Sequence, residues 1–454
     1  MATLTVSGLS TGIDYESLIQ QLLEVERIPV NRLESKKSIY EQKNAAYTDL
    51  ANKLEDLESA ADALRLATGF GGKETTVSDE TIVTASASTS ASTGNYSVTV
   101  TQIALAHKLK AGVGLSGTDA TVASGSGSFT FKVGESGTEY SVDVDATTTL
   151  EAFKNAINDL DAGVRAVVIN DGTDTDPYQL VLSSVETGAD NKILITQDGT
   201  NLGLPVNDTD LTSDLHLQDP QDAEINLDGL TVYRSSNQIA DLIPGVSLSL
   251  HKADPATALT LQVAEDRESI RESIETLINS YNDVIGFINS RSNYDPENNK
   301  ADPLYAEGTV RSIERRLSRI VSNGIDGLPA DMKALSQIGV STNRDGTLTL
   351  NMGQLQDALD EDLEGVTNLF VKGDTTQGVA EQFYQLAQAA TKSGDGDIAV
   401  RKDGLSDRIR DLGDKIEEQD AALGRLEERL RVRFAALDSL IASLQSQDLS
   451  ILSY

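Results

Sequence analysis

No cysteine occurs among the 454 residues, which excludes disulfides, thiolate metal sites and a cysteine nucleophile together. Tryptophan is also absent, and aromatic residues make up only 4% of the chain. The hydrophobic share of 39% lies under the ~45–50% usual for compact domains, so much of the chain is expected to be thin or elongated. Basic residues are scarce: 37 Lys plus Arg stand against 71 Asp plus Glu, a net charge of −34. A surface this acidic repels a phosphate backbone, and no nucleic-acid partner is expected. No window approaches the ~20 apolar residues that span a bilayer, so no membrane insertion is expected. Met1 to Ser10 has neither the charged start nor the apolar core of a secretory signal, and any export is expected to use another route.

What is present divides into three compositional regions, in a chain long enough for about three domains of ~150 residues. Residues 1 to about 70 and about 266 to 454 read as helix; the stretch between reads as strand and turn. Thr11-Gly12-Ile13-Asp14 supplies capping residues ahead of Leu18, Ile19, Leu22, Leu23 and Val25. Pro29 predicts an interruption, with a second helix restarting there. Tyr47, Leu50, Leu54, Leu57, Ala61 and Leu64 then alternate steps of three and four, a heptad seam that is also the face of an ordinary amphipathic helix. Lys36 and Lys43 interrupt it upstream. The chain closes on a longer seam, Leu405, Ile409, Leu412, Ile416, Gln419, Leu423, Leu426 and Leu430, continued by Phe434, Leu437, Ile441 and Leu444 after a stutter. At 1.5 Å per residue the two segments are roughly 55 and 60 Å long. Similar lengths at opposite ends of one chain suggest an antiparallel pair, each seam needing the other or a neighbouring subunit.

In the middle region, short period-2 runs between Gly, Asn and Asp predict strands at Thr81 to Ala85, Tyr96 to Val100, Phe129 to Val133, Tyr140 to Val144, Val164 to Ile169, Leu180 to Leu182, Ile193 to Ile195 and Val246 to Leu250. Thr149 to Leu160 reads as a helix, and the Ser-Gly-Thr cluster from Gly112 to Ser128 as a lobe boundary. Helical periodicity resumes over Asp266 to Asn289, Val310 to Val321, Met352 to Leu359, Leu363 to Phe370 and Val379 to Thr391, with a hairpin at Leu335 to Leu350 turning on Asp345-Gly346. The fold class expected is α+β, elongated and multidomain: antiparallel terminal helices or coiled coil forming a leg and stalk, with an inserted two-lobed, mostly β head.

Catalytic patterns occur only without their context. Gly112-Val-Gly114-Leu-Ser-Gly117 fits a dinucleotide fingerprint, but no helix follows. Asp171, Asp174 and Asp176, and likewise Asp295, Glu297 and Asn299, lack the glycine and distal Glu of a calcium loop. Gly8-Leu-Ser10-Thr-Gly12 has no room for the strand a nucleophile elbow needs. Ser249 and Lys252 are spaced to opposite faces of a strand. His107, His216 and His251 read as separate surface or strand residues. No catalytic residue, cofactor or metal is therefore expected.

Gly8-Leu-Ser-Thr-Gly-Ile-Asp14 with the Leu-rich helix and Pro29 after it, Gly94-Asn-Tyr-Ser-Val-Thr-Val-Thr-Gln-Ile-Ala-Leu-Ala106, the unit from Phe129 through Asp143-Val-Asp-Ala-Thr-Thr-Thr-Leu150 to Ala156-Ile-Asn158, Arg234 through Leu248, Tyr281-Asn282, Ile338-Gly-Val340 before Asp345-Gly-Thr-Leu348, and Arg433-Phe-Ala-Ala-Leu-Asp438 together resemble the bacterial flagellar filament cap family, also called hook-associated protein 2. The resemblance implies a structural protein, exported by the flagellar type III apparatus, that forms a ring-shaped homo-oligomer at the filament tip and promotes flagellin insertion. It implies self and flagellin as partners, together with an export chaperone and a host or surface receptor. The divisions it suggests are a leg helix at 1–40, stalk at 41–72, a β lobe at 73–107 and 222–265, an inserted lobe with a flagellin-like motif at 108–221, helical stalk at 266–400 and a C-terminal leg at 401–454. Leu18, Leu22, Leu23, Phe434, Leu437, Ile441 and Leu444 are the residues expected to face flagellin or a neighbouring subunit; packing on each other within one subunit is the alternative. A surface adhesin working through the head, or a hook–filament junction protein, are the rival functions. The tail from Gln445 to Tyr454 lacks the methionines the family leads one to expect.

Overall fold

The computed structural model describes residues 14–371, 373 and 376–451. The Gly8–Gly12 motif and the capping residues before Asp14 lie outside the described residues, as do the side chains of the tail beyond Leu444. Two compact units emerge, one built from Met1–Phe70 with Arg267–Tyr454 and the other from Gly71–Asp266.

The first helix, α1 (Tyr15–Leu64), starts where the Asp14 carboxylate accepts a hydrogen bond from the Ser17 amide at 3.0 Å. It runs 50 residues with Pro29 inside it, so the expected break at Pro29 does not occur and the helix passes unbroken through residue 40. Proline removes the bond to the Val25 carbonyl, but Val25 and Pro29 lie on the solvent face, where water takes the freed acceptor.

The second unit holds two hydrophobic cores. Strands β1 (Lys73–Val77), β2 (Val83–Ala87) and β3 (Gly94–Gln102) open it, and β4 (Lys108–Lys110), β5 (Gly127–Val133), β6 (Tyr140–Val144), α2 (Leu150–Asp159), β7 (Val164–Asn170), β8 (Tyr178–Ser184), β9 (Ile193–Gln197) and β10 (His216–Gln218) follow. It closes with β11 (Ala223–Leu227), β12 (Leu230–Arg234), β13 (Gln238–Ile243), β14 (Val246–Leu250) and β15 (Asp254–Glu265). Sheets ordered β1-β15-β3-β11-β12 and β13-β14-β2 enclose Val98, Val100, Ile225, Leu248 and Leu261. Sheets ordered β10-β4-β8-β7 and β6-β5-β9 close with α2 over Phe129, Phe131, Phe153, Leu180 and Leu182. The sequence pattern found eight of these fifteen strands and missed β1, β4, β10, β11, β12, β13 and β15. The β11–β12 turn, Asp228-Gly229, has both residues at positive φ (50° and 87°), the conformation an Asp-Gly hairpin turn supplies.

After β15 the chain returns to helix: α3 (Arg267–Arg291), α4 (Gly308–Ser322), α5 (Met352–Glu361), α6 (Leu363–Phe370), α7 (Val379–Thr391) and α8 (Asp397–Ile451). A two-residue ladder, β16 (Tyr294–Asp295) with β17 (Lys300–Ala301), lies between α3 and α4. The expected hairpin is β18 (Val340–Thr342) against β19 (Leu348–Leu350), Val340 opposite Leu350. The seam Tyr47, Leu50, Leu54, Leu57, Ala61 and Leu64 is wholly buried, as the spacing predicts. It is not a two-stranded coil along that length: it shares one core with Ile274, Leu277 and Tyr281 of α3, Ile313 and Leu317 of α4, and Phe383 and Leu386 of α7.

Candidate functional site

Toward its N-terminus α1 leaves that core and pairs with α8 in antiparallel register. Tyr15 stacks on Phe434 at 5.0 Å between ring centroids, Glu16 bonds Arg431 at 2.8 Å, Arg27 approaches Asp420 at 3.9 Å, and the Arg408 guanidinium lies 5.8 Å from the Tyr40 ring centre. The seam of α8 faces α1 as its spacing predicts, but cover thins along it. Leu405 is buried, Ile409, Leu423, Leu426 and Leu430 are half-buried, and Leu444 is 56% exposed. A groove of about 410 Å³ beside Leu23, Arg27, Leu423 and Gly424 marks how loosely two helices alone fill this space. Since α1 begins opposite Phe434, residues 435–451 of α8 run about 25 Å beyond the described end of α1.

The expected docking residues divide accordingly. Leu18 (43% exposed) and Leu22 face solvent, as do Leu437 and Leu444. Leu23 and Ile441 are half-buried, and Phe434 is covered by Tyr15 of the same chain. The residues that α1 buries here are Tyr15, Ile19 and Val30; of these Ile19 was read only as part of the helix pattern.

The pair is anchored at its base by a charge cluster no motif announces. Glu307, 7% exposed and just ahead of α4, accepts hydrogen bonds from Lys43 Nζ (2.6 Å), Tyr47 Oη (2.9 Å) and the Arg401 guanidinium (Nη2, 2.7 Å). Burial opposes ionisation of its carboxyl, but the bonds from Lys43 and Tyr47 and the Lys43 charge outweigh it and hold the group below the usual glutamate range. The same burial, reinforced by the Glu307 charge, pushes the Tyr47 phenol well up. Of the two lysines expected to interrupt the seam, Lys43 enters this cluster, whereas Lys36 is exposed and Lys37 takes the position facing α8. There the Lys37 ammonium lies beside Gly413, 3.9 Å from where a β-carbon on that glycine would stand. At the other end of the seam, Glu381 of α7 is also buried and lies 3.7 Å from Arg65, whose guanidinium covers the Tyr384 ring at 4.3 Å.

The remaining sequence motifs have structural explanations. A side chain on Gly114 would stand 2.1 Å from the Asp176 carbonyl oxygen and one on Gly112 2.8 Å from that of Gly203, so both glycines permit close loop packing. Ser249 donates to Gln238 at 2.7 Å, and Lys252 lies beyond the strand. Among the described residues no group of three His, Asp or Glu side chains could hold a metal ion, and no helix is long and apolar enough to cross a membrane.

Two histidines read as separate are in contact, a correction that the β4–β10 pairing explains. The Ile193 amide donates to His107 Nδ1 (2.8 Å), so neutral His107 carries its proton on Nε2 and donates to His216 Nδ1 (2.8 Å). His216 Nε2 in turn donates to Asp208 (3.1 Å). Burial, then the neighbouring His216, lowers the His107 pKa to about 4. Asp208 is lowered to about 2, chiefly by the Thr212 amide. At the free edge of β7, the Asn158 side chain of α2 accepts from the Ala166 amide (2.8 Å) and donates to its carbonyl (3.0 Å), occupying the groups that another strand would pair with.

Comparison with known proteins follows the same outline. The model of the flagellar hook-associated protein 2 N-terminus matches residues 11–107, that of its C-terminus residues 220–446, and the flagellin hook IN motif residues 128–186. The A-type flagellar hook-associated protein 2 of Pseudomonas aeruginosa is 26% identical over 97% of this chain and 95% of its own length. Flagellar hook-associated protein 2 of Escherichia coli K12 is 26% identical over 98% and 97%. A crystal structure of the flagellar cap protein from Escherichia coli superposes with a TM-score of 0.64 at 27% identity, covering 80% of this chain and 99% of that one. With the C-terminal model alone spanning half the sequence and the N-terminal model preceding it in order, the chain belongs to the flagellar hook-associated protein 2 family.

Proposed function

We propose that this chain caps the distal end of the bacterial flagellar filament, where it assembles with further copies of itself into a ring, promotes flagellin polymerisation and prevents flagellin loss. The terminal helix pair is the leg, and the docking residues are Leu18, Leu22, Leu23, Phe434, Leu437, Ile441 and Leu444. The observation that carries the leg assignment is the exposed apolar residues toward the end of the pair: Leu18 and Leu22 one turn apart on α1, and Leu437 and Leu444 on α8, whose spacing is that of a packed seam. Large apolar side chains repeated along one exposed face mark an interaction surface. On this reading an export chaperone handles the subunit before secretion, and the β lobes are available to a host or surface receptor.

The test replaces Leu437 and Ile441 together by Asp. The β unit should stay folded while filaments fail to elongate and flagellin accumulates in the medium; filaments of normal length would refute the leg assignment. Labelled antibody should mark the filament tip, and a signal at the hook junction or along the filament would refute capping itself.

A further inference from the structure

The apolar seam that joins α1 to its neighbours repeats itself every seven residues. In α1, Leu50, Leu57 and Leu64 form one such series and Tyr47, Leu54 and Ala61 the other; in α8, Ile409, Ile416, Leu423, Leu430, Leu437 and Leu444 do the same. Sliding α1 forward by one heptad, about 10 Å, therefore sets most seam residues on apolar positions again, with Leu54 in the smaller place of Ala61 and Lys53 in the 9% exposed place of Ala60, so burial separates the two arrangements at only a few positions. A polar residue at a seam position is what makes such a choice.

We infer that Lys43 and Glu307 are the positioning residues that fix the register of α1, with Arg65 and Glu381 holding the other end. Lys43 stands one heptad before Leu50. Moving α1 forward by seven residues carries Lys43 into the wholly buried place of Leu50; moving it back sets Leu50 against the buried Glu307 carboxylate and removes its lysine and tyrosine donors. The forward shift has a ready-made alternative, because Lys36 and Tyr40 repeat the spacing of Lys43 and Tyr47 and arrive at Glu307 in their stead. The position of Lys43 thus decides how far Leu18 and Leu22 stand from Leu437 and Leu444, which matters for the docking role proposed above. The register itself is independent of that role.

The absence of cysteine makes the test clean. Spin labels on Asp56→Cys of α1 and Glu418→Cys of α8, both exposed, stand about 40 Å apart along the pair at 1.5 Å per residue. Electron–electron resonance should give one distance in the otherwise native chain. Lys43→Leu combined with Arg65→Ala should add a second distance about 10 Å longer, and a further Lys36→Ala change, which removes the alternative donor, should diminish it. One unshifted distance in a helical, folded Lys43→Leu/Arg65→Ala protein overturns the inference. Should that protein fail to fold, Lys43→Met combined with Arg65→Met, which keeps the length of both side chains without their charge, should show the longer distance, and a single native distance there overturns it equally.

Discussion

Acid should loosen the β4–β10 region through a single histidine. His107 is fully buried and its Nδ1 accepts from the Ile193 amide, so a proton there would meet another N–H. The groups around it do not favour the cation overall: His216 and Lys192 oppose it, and Asp219 only partly compensates. Its pKa falls from 6.5 to about 4, worth about 3 kcal/mol at 1.36 kcal/mol per pH unit. Because the folded value lies below the unfolded one, the contribution is complete above pH 6.5, declines as the unfolded chain takes up the proton, and is gone below about pH 4. Urea unfolding of the intact chain, followed in peptides spanning β4 to β10 by pulsed hydrogen exchange and mass spectrometry at pH 7, 5.5 and 4, reads this directly. His107→Asn keeps an oxygen acceptor for the Ile193 amide but does not titrate. The difference in stability between the native chain and His107→Asn should shrink by about 3 kcal/mol from pH 7 to pH 4. Parallel pH profiles for the two proteins would refute the reasoning.

Glu307→Ala leaves Lys43, Arg401 and the Tyr47 hydroxyl without their common acceptor and should cost about 3 kcal/mol, seen as a lower urea midpoint in the helical circular-dichroism signal; Tyr47→Phe should cost about 1 kcal/mol. Leu54→Ala, in a wholly buried seam position, should cost about 2–5 kcal/mol in the same assay, whereas Leu22→Ala, on the exposed stripe, should stay within about 0.5 kcal/mol. Asn158→Leu strips both bonds from the edge of β7; about 2 kcal/mol of destabilisation and faster exchange of the Ala166 amide should follow.

The helices were legible because their buried faces are local. The seam of α1 and Ile270, Ile274, Leu277, Ile278, Tyr281, Ile285 and Ile288 of α3 recur at helical spacing, and all are buried. Pro29 misled because a proline is read as a stop from the chain alone, while its cost depends on whether the freed carbonyl meets water or core. The long strand β15 was missed because Asp254, Pro255 and a run of small residues hide the alternation of Leu259, Leu261 and Val263. The docking residues were half legible. The apolar repeat identifies the seam, but which members remain exposed depends on where α1 begins opposite α8. Glu307, one carboxylate among 71 Asp and Glu, carries no local sign of its role. Nor does the His107–His216 contact, made between residues 109 apart.

The thinning cover along α8 has a mechanical consequence. Bending stiffness in a helix pair comes from side chains that must be separated before the axis can curve, and these diminish from buried Leu405 to exposed Leu444. A sideways load at the far end is therefore absorbed first by the segment beyond Phe434, then by the loosely filled pair, and last by the base clamped on Glu307. The element acts as a tapered spring: compliant where it meets its surroundings, rigid where it joins the bundle, so that a displaced tip need not disturb the core.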